Sequence, residues 1–234
     1  MDFGFSDEQQ AIRDTARRFA TDRLAPNYRQ REQSGKIGKD IVKEMGELGL
    51  IGTDLPTEFG GLGLDCVTTG IVIEEIAAAD LNVSYVQLIG SLNGRILTDH
   101  ATPEFAAKAI GEMCAGNSIS ALGLTEPRGG SDAAGLILRA RKDGDDYILN
   151  GEKTSISLST QADTVLLFAR TGGEEERSRG VSTFYVPLDA PGVTRTEFDD
   201  MGHGAVGRGS LFFDDVRIPG DCLLGEEGAG FRQV

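Results

Sequence analysis

The sequence predicts an α+β fold, with an all-helical N-terminal domain over residues 1–117 and an antiparallel β-barrel or sandwich over residues 118–234. Three observations predict it. Apolar residues recur at amphipathic-helix spacing from Ile12 to Met113. After Ser118 that period gives way to short apolar runs separated by Gly, Asp and Pro. Between the two regimes lies Leu124-Thr125-Glu126-Pro127-Arg128-Gly129-Gly130-Ser131-Asp132, a turn dense in hydroxyls and glycines.

Each helix has a local signature. Ser6-Asp7-Glu8-Gln9 is a capping box, followed by Ile12, Ala16, Phe19, Ala20 and Leu24 on one face, with Pro26 as the stop. Ile41, Val42, Met45 and Leu48 form a second stripe. Residues 53–63 are rich in breakers and read as a loop. Val67, Ile71, Val72, Ile76 and Ala79 form a third face, and Val86, Ile89, Leu92, Ile96 and Leu97 a fourth. Pro103 opens a last helix through Phe105, Ala109, Ile110 and Met113. All of these stripes are read as core faces.

In the second half, Ile119, Ala121 and Leu122 lead into the turn, and Ile137 to Arg141 reads as a strand closed by Asp143-Gly144. Tyr147-Ile148-Leu149 is followed by Asn150-Gly151, read as a hairpin turn. Thr164 to Ala169, Ser182 to Val186 and Gly209 to Ile218 are further strands. Gly172 to Gly180 reads as a charged, exposed loop.

The bulk numbers narrow the function. With 234 residues and 39% hydrophobic content the chain can bury a real core. A net charge of −14 argues against nucleic acid and anionic membrane as partners, while leaving room for a local anion site. Cys66, Cys114 and Cys222 are widely spaced and odd in number, so free thiols in a reducing compartment are expected. His100 and His203 are the only histidines, which argues against a His-based metal site. Met1 to Glu8 lacks a basic, apolar signal, and no run is long enough to span a membrane. A soluble, cytoplasmic protein is the expectation.

The Gly-rich turn is the strongest chemical signal. Glycines allow backbone N–H groups to approach a flat or anionic ligand closely. A structural turn capped by Ser131 and Asp132 is the competing reading. Asn150-Gly151-Glu152-Lys153 is the second signal; Lys153 and Arg128 are read either as phosphate ligands or as surface charges.

The helical half, followed by a β half entered through Leu124-Thr125-Glu126-Pro127 and Gly130-Ser131-Asp132, resembles the flavin-dependent acyl-CoA dehydrogenase family. Phe59-Gly60-Gly61-Leu62-Gly63, Tyr147-Ile148-Leu149-Asn150-Gly151-Glu152-Lys153, Phe213 to Pro219 and Leu224 to Phe231 resemble further landmarks of that family, in the same order. The resemblance implies a helical domain, a β domain and a C-terminal four-helix bundle, the last absent from this chain. It implies FAD as cofactor, an acyl-CoA substrate desaturated between its α and β carbons, an electron-transfer flavoprotein as acceptor and a homotetramer. It also places the catalytic base in the absent bundle, so no catalytic residue is named; Glu126 and Asp132 would shape the turn instead.

By the same resemblance Leu122, Gly123 and Leu124 would line the isoalloxazine with backbone groups, and Thr125 would hydrogen-bond its pyrimidine side. Gly129 and Gly130 would permit close approach. Ser131 would lie near the FAD pyrophosphate, with its backbone near the pantetheine arm of the substrate. Ser155, Ile156 and Ser157 match the family's second flavin contact, where Ser157 keeps a hydroxyl and Ser155 replaces an aromatic. The chain has no Trp. The Thr154-Ser155-Ile156-Ser157 segment resembles dehydrogenases of alicyclic acyl-CoA thioesters such as cyclohexane-1-carbonyl-CoA. Met201-Gly202-His203-Gly204 lacks the Arg common in the family, and His203 reads as a solvated loop residue. The alternatives are a half-length, non-catalytic partner subunit, an acyl-CoA oxidase or flavin monooxygenase of the same fold, and a binding module without flavin.

Overall fold

The computed structural model describes residues 4–233; Met1-Asp2-Phe3, part of the opening read for a targeting signal, and Val234 lie outside the described residues. The chain opens with helix α1, Asp7–Phe19. The capping box forms as expected, with Ser6 Oγ accepting from Gln9 N at 3.1 Å and Gln9 Oε1 accepting from Ser6 N at 3.1 Å.

Pro26 does not stop the helical path. The chain loosens into a π-turn over Ala20–Leu24, tightens at Ala25–Asn27, and resumes as α2, Tyr28–Ser34, which the sequence reading did not foresee. Two local facts account for the restart. Pro26 occupies a first-turn position, where a missing N–H costs nothing. The Leu24 carbonyl is held instead by the Arg31 guanidinium, which also donates to Asp80 Oδ2 at 2.7 Å.

Helices α3 (Lys39–Glu47), α4 (Cys66–Ala79), α5 (Leu81–His100) and α6 (Pro103–Cys114) follow. Asp65, Asp80 and Thr102 cap the last three through side-chain oxygens that accept from Thr68 N, Asn82 N and Phe105 N. The apolar stripes are not core throughout. Leu48, Val67 and Leu92 are exposed; Leu48 lies just past the end of α3, and Leu92 stands one turn from the likewise exposed Leu88.

The second half builds an eight-stranded sheet. The strands are β1 (Ser120–Gly123), β2 (Arg139–Asp143), β3 (Asp146–Ile156), β4 (Thr164–Arg170), β5 (Val181–Pro187), β6 (Val193–Glu197), β7 (Gly209–Pro219) and β8 (Leu223–Leu224). Their order is β6-β7-β3-β2-β4-β5-β8, with β1 added alongside β4. Most pairs are antiparallel; β1 pairs with β4 in parallel, as does Arg139 at the start of β2 with Arg170 at the end of β4. Leu149, Leu211 and Phe213 from one half share a core with Val165, Leu167 and Phe184 from the other. The Tyr147 and Phe184 rings meet edge-on at 4.9 Å. The sheet thus folds over on itself, as the sequence reading expected.

Strand β4 is buried on both faces. Val165 and Leu167 point into the β core, while Leu166 and Phe168 meet Ala106, Ala109 and Ile110 of α6. This explains its unbroken apolar run, since a strand covered on both sides has no face to give to water. Burying each such side chain is worth about 1.5–3 kcal/mol, and β4 thereby welds the helical layer to the sheet.

Asn150-Gly151 corrects the expected hairpin. Both residues lie inside β3, and the true turn is Gly144-Asp145, just past the strand end read at Asp143-Gly144, where β2 pairs back onto β3 through Asp143 and Asp146. Gly151 has φ +138° and marks a bulge against β7. A tight hairpin turn and a glycine-marked bulge both use positive φ, so the same dipeptide suits either. The Asn150 amide secures the bulge by donating to Asp215 Oδ1 and accepting from Asp215 N, each at 3.0 Å.

A Cβ on Gly151 would stand 2.9 Å from the Leu138 Cα, whereas one on Gly144 would meet nothing within 4 Å. Gly151→Ala should therefore lower the unfolding free energy by about 2–3 kcal/mol and Gly144→Ala by about 1 kcal/mol, read from urea melts. Burial pushes the Cys114 and Cys222 thiols up to about 11. In the native protein at pH 8, iodoacetamide should label exposed Cys66 first, and Cys114 and Cys222 only on unfolding, as mapped by peptide mass spectrometry.

Candidate cofactor and substrate site

Strand β1 carries the chain from the helical layer to the seam. It ends at Gly123, where a Cβ would press within 3.0 Å of Val165 Cγ2 and 3.1 Å of Leu167 Cδ1. The next residues leave the sheet but stay tethered to β3. Thr154 N donates to Thr125 O at 2.9 Å. Lys153 Nζ donates to Leu124 O at 3.1 Å. The two segments singled out in the sequence, 122–131 and 155–157, are thereby brought together.

Under this junction lies a buried ion pair. Lys153 is 0% and Glu126 4% exposed, and Lys153 Nζ sits 2.8 Å from Glu126 Oε1. Glu126 also accepts from Ile137 N at 2.7 Å and Leu138 N at 2.9 Å. Burial pushes the Lys153 ammonium down to about 8, against the pull of Glu126. Its Nζ donates to two acceptors at once, the Leu124 carbonyl and the Glu126 carboxylate, which favours the protonated form. Lys153 is thus neither a surface charge nor a phosphate ligand, because its ammonium is spent inside; Arg128 is exposed. Glu126 shapes the turn, as the sequence reading held.

The turn itself closes at Glu126-Pro127-Arg128-Gly129, where Gly129 N donates to Glu126 O at 2.9 Å. Gly129 has φ +131° with open space where a Cβ would be. Gly130 and Ser131 follow on the exposed rim, and Asp132 forms a solvent-exposed pair with Arg177. Such a pair is worth little in stability.

A second buried cation, unforeseen in the sequence, braces the loops behind the turn. Arg170 is 2% exposed and donates to the carbonyls of Ala134, Leu136, Gly173 and Arg177 at 2.7–3.2 Å. Its signal in the sequence is a charge ending the apolar run of β4. The Gly172 to Gly180 stretch, expected as a plain loop, is wound by these bonds into short helical turns over Glu174–Gly180.

Past Lys153, β3 breaks register with β7 again. Ser155 has φ +57° and is exposed; Leu158 has φ +64° and is buried. A non-glycine residue in the left-handed region is strained and persists only where its surroundings hold it. Ile156 turns into the core, so its side chain serves packing. Ser157 is half-buried, as are Leu122, Leu124 and Thr125. Among the described residues, nothing accepts from the Thr125 N–H, and the hydroxyls of Thr125, Ser131 and Ser157 have no partner.

Leu122 also lines a groove of about 610 Å³, whose apolar wall includes Leu88, Leu92 and Ile96 of α5 with Ile73 of α4. The exposed Leu92 that fell out of the core finds its place here. Asp54, Asp65 and Arg95 add charged groups to the groove's lining. Asp54 accepts from Ser91 Oγ at 2.5 Å, and buried Gln87 links Ser91, Thr53 and Gly52 N beneath it. His203 sits at positive φ in an exposed loop, away from this groove's lining. The arrangement offers unspent donors and a half-buried turn to a flat polar group, beside an apolar channel for a hydrocarbon chain.

Known proteins share this architecture. The acyl-CoA dehydrogenase N-terminal domain matches residues 6–117, and the acyl-CoA dehydrogenase middle domain matches residues 121–216. The chain is similar to the probable acyl-CoA dehydrogenase YngJ of Bacillus subtilis, 35% identical over all of this chain and 62% of that protein. It is also similar to a chain in the electron transferring flavoprotein structure of Acidaminococcus fermentans, with TM-score 0.94 and 34% identity over 100% of this chain and 62% of that one. A third similar structure is the glutaryl-CoA dehydrogenase of Mycobacterium smegmatis in complex with FADH2, with TM-score 0.89 and 31% identity over 98% of this chain and 58% of that one. The chain thus spans less than two thirds of the length of these relatives. It belongs to the acyl-CoA dehydrogenase family, of FAD-dependent enzymes, and carries that family's N-terminal and middle domains.

Proposed function

We propose that this chain supplies the flavin face and one wall of the acyl pocket of an FAD-dependent acyl-CoA dehydrogenase. The observation that carries the reading is the tether from Thr154 N to Thr125 O, which sets the Leu122–Ser131 turn beside Ser155–Ser157. The residues fit the cofactor. The Thr125 amide and the Thr125 and Ser157 hydroxyls are unspent, and the turn at Gly129 faces open space. Leu122, Gly123, Leu124 and Thr125 would hold the ring system with Ser155, Ile156 and Ser157, the first set chiefly through backbone. Gly130 and Ser131 would take the phosphates, and Ser131 the pantetheine arm. The domain boundary is taken at residues 117/118.

Bound there, FAD would accept the electron pair released when a CoA thioester is desaturated between its α and β carbons. The chain's own contribution is to orient the reactants and exclude water from them. The Leu88, Leu92 and Ile96 wall would bury the acyl group. The proton acceptor is taken to lie outside this chain. An electron-transfer flavoprotein is the proposed acceptor and a homotetramer the proposed assembly. Three free thiols support a reducing, cytoplasmic setting.

Ser155 supports a finer reading. A small, exposed residue at a strained bulge leaves room where a bulky ring would otherwise stand, which suits a cyclic acyl group such as cyclohexane-1-carbonyl. The full-length protein, purified and kept free of oxygen, should show flavin absorption that bleaches on adding cyclohexane-1-carbonyl-CoA. Faster bleaching by butyryl-CoA would remove the alicyclic reading and leave the dehydrogenase. Oxygen uptake without an electron-transfer flavoprotein would point to an oxidase. A protein without flavin would remove the reading altogether and favour a non-catalytic subunit.

A further inference from the structure

We propose that Lys153 is a positioning residue for the cofactor, its buried ammonium setting the direction of the Thr125 N–H. The inference rests on the FAD reading above. A trans peptide carries its C=O and N–H on opposite sides, and no described peptide bond is cis. The Leu124 carbonyl is drawn to Lys153 Nζ at 3.1 Å. The N–H of that same peptide belongs to Thr125, so it points away from Lys153, and nothing among the described residues accepts from it.

The anchor is built to hold still. Lys153 is fully buried, and its Nζ is pinned from the other side by Glu126 Oε1 at 2.8 Å. Glu126 is in turn fixed by Ile137 N and Leu138 N. The following peptide is fixed independently, because Thr154 N holds Thr125 O. Thr125 therefore sits between two restrained peptide planes, and only the first depends on a side chain. A donor aimed before the ligand arrives binds it without a reorganisation cost. An isolated structural pair would need only Glu126; the additional bond from Lys153 to the Leu124 carbonyl is what turns the pair toward the ligand side.

The test uses the full-length protein stripped of flavin and titrated with FAD. Lys153→Met removes every donor and should weaken FAD binding at least tenfold and shift the visible bands of what binds. Lys153→Gln keeps N–H donors without charge and should recover most of both. Equal affinity and spectrum in Lys153→Met and wild type would overturn the proposal, as would Lys153→Gln behaving like Lys153→Met. Wild-type protein that takes up no FAD would instead overturn the reading beneath it, and the proposal with it. One arm needs no variant and decides the matter if Lys153→Met does not fold. In wild type the Thr125 amide should exchange freely with deuterium before FAD is added and at least tenfold more slowly afterwards. An amide already protected in the flavin-free protein, or unmoved by FAD, would overturn the proposal.

Discussion

The burial of Lys153 against Glu126 is the constraint on which the seam between helices and sheet depends. Taking an ammonium out of water is costly, and a single carboxylate repays that only when the remaining donors and acceptors are met. Here they are met by backbone: the Leu124 carbonyl on one side, and the Ile137 and Leu138 amides on the other. The pair therefore joins three stretches of chain that have no regular structure in common. Hydrophobic residues of the same volume would fill the space but would not specify which peptide faces which way.

Arg170 extends the same logic outward. Its guanidinium has no carboxylate partner among the described residues and is spread over four carbonyls instead. Planar, forked donors suit that task, where an ammonium would reach fewer acceptors. The result is a rigid base under a turn whose upper face is left unspent. Stiff support below and free hydrogen-bonding groups above is the combination a binding loop needs.

Much of this was legible in the sequence, and the parts that were not share a cause. Periodicity and caps are local, so Ser6 with Ile12, Ala16 and Phe19, or Thr102 with Pro103, announce their helices directly. Thr125 and Ser157 were named through the resemblance of the segments that carry them, and the bond from Thr154 N to Thr125 O sets those segments side by side. Asn150-Gly151 misled because positive φ serves a bulge as well as a hairpin. Pro26 misled because a carbonyl-to-Arg31 bond, seven residues away, lets the chain restart. Lys153 was ambiguous because its partner lies 27 residues off in sequence, and nothing local says whether a lysine is buried. The groove was invisible because Leu88 and Leu92 lie on a helix whose apolar residues look alike until its neighbours are in place.

An open sheet has two ends, and each end is a template for a stray strand. Here β8 is only two residues long, too short to recruit a neighbour. At the other end β6 shows Thr194, Thr196 and Glu197 to water, while Arg195 turns its guanidinium inward onto the carbonyls of Ser159, Ala162 and Leu188. An inward charge and a polar outer row make β6 a poor partner for another copy. The unbroken apolar run of β4 is placed inside both borders. Protection from fibril-like association is therefore written into the order of the strands, and it would be lost wherever a permuted or cleaved chain brought β4 to the border.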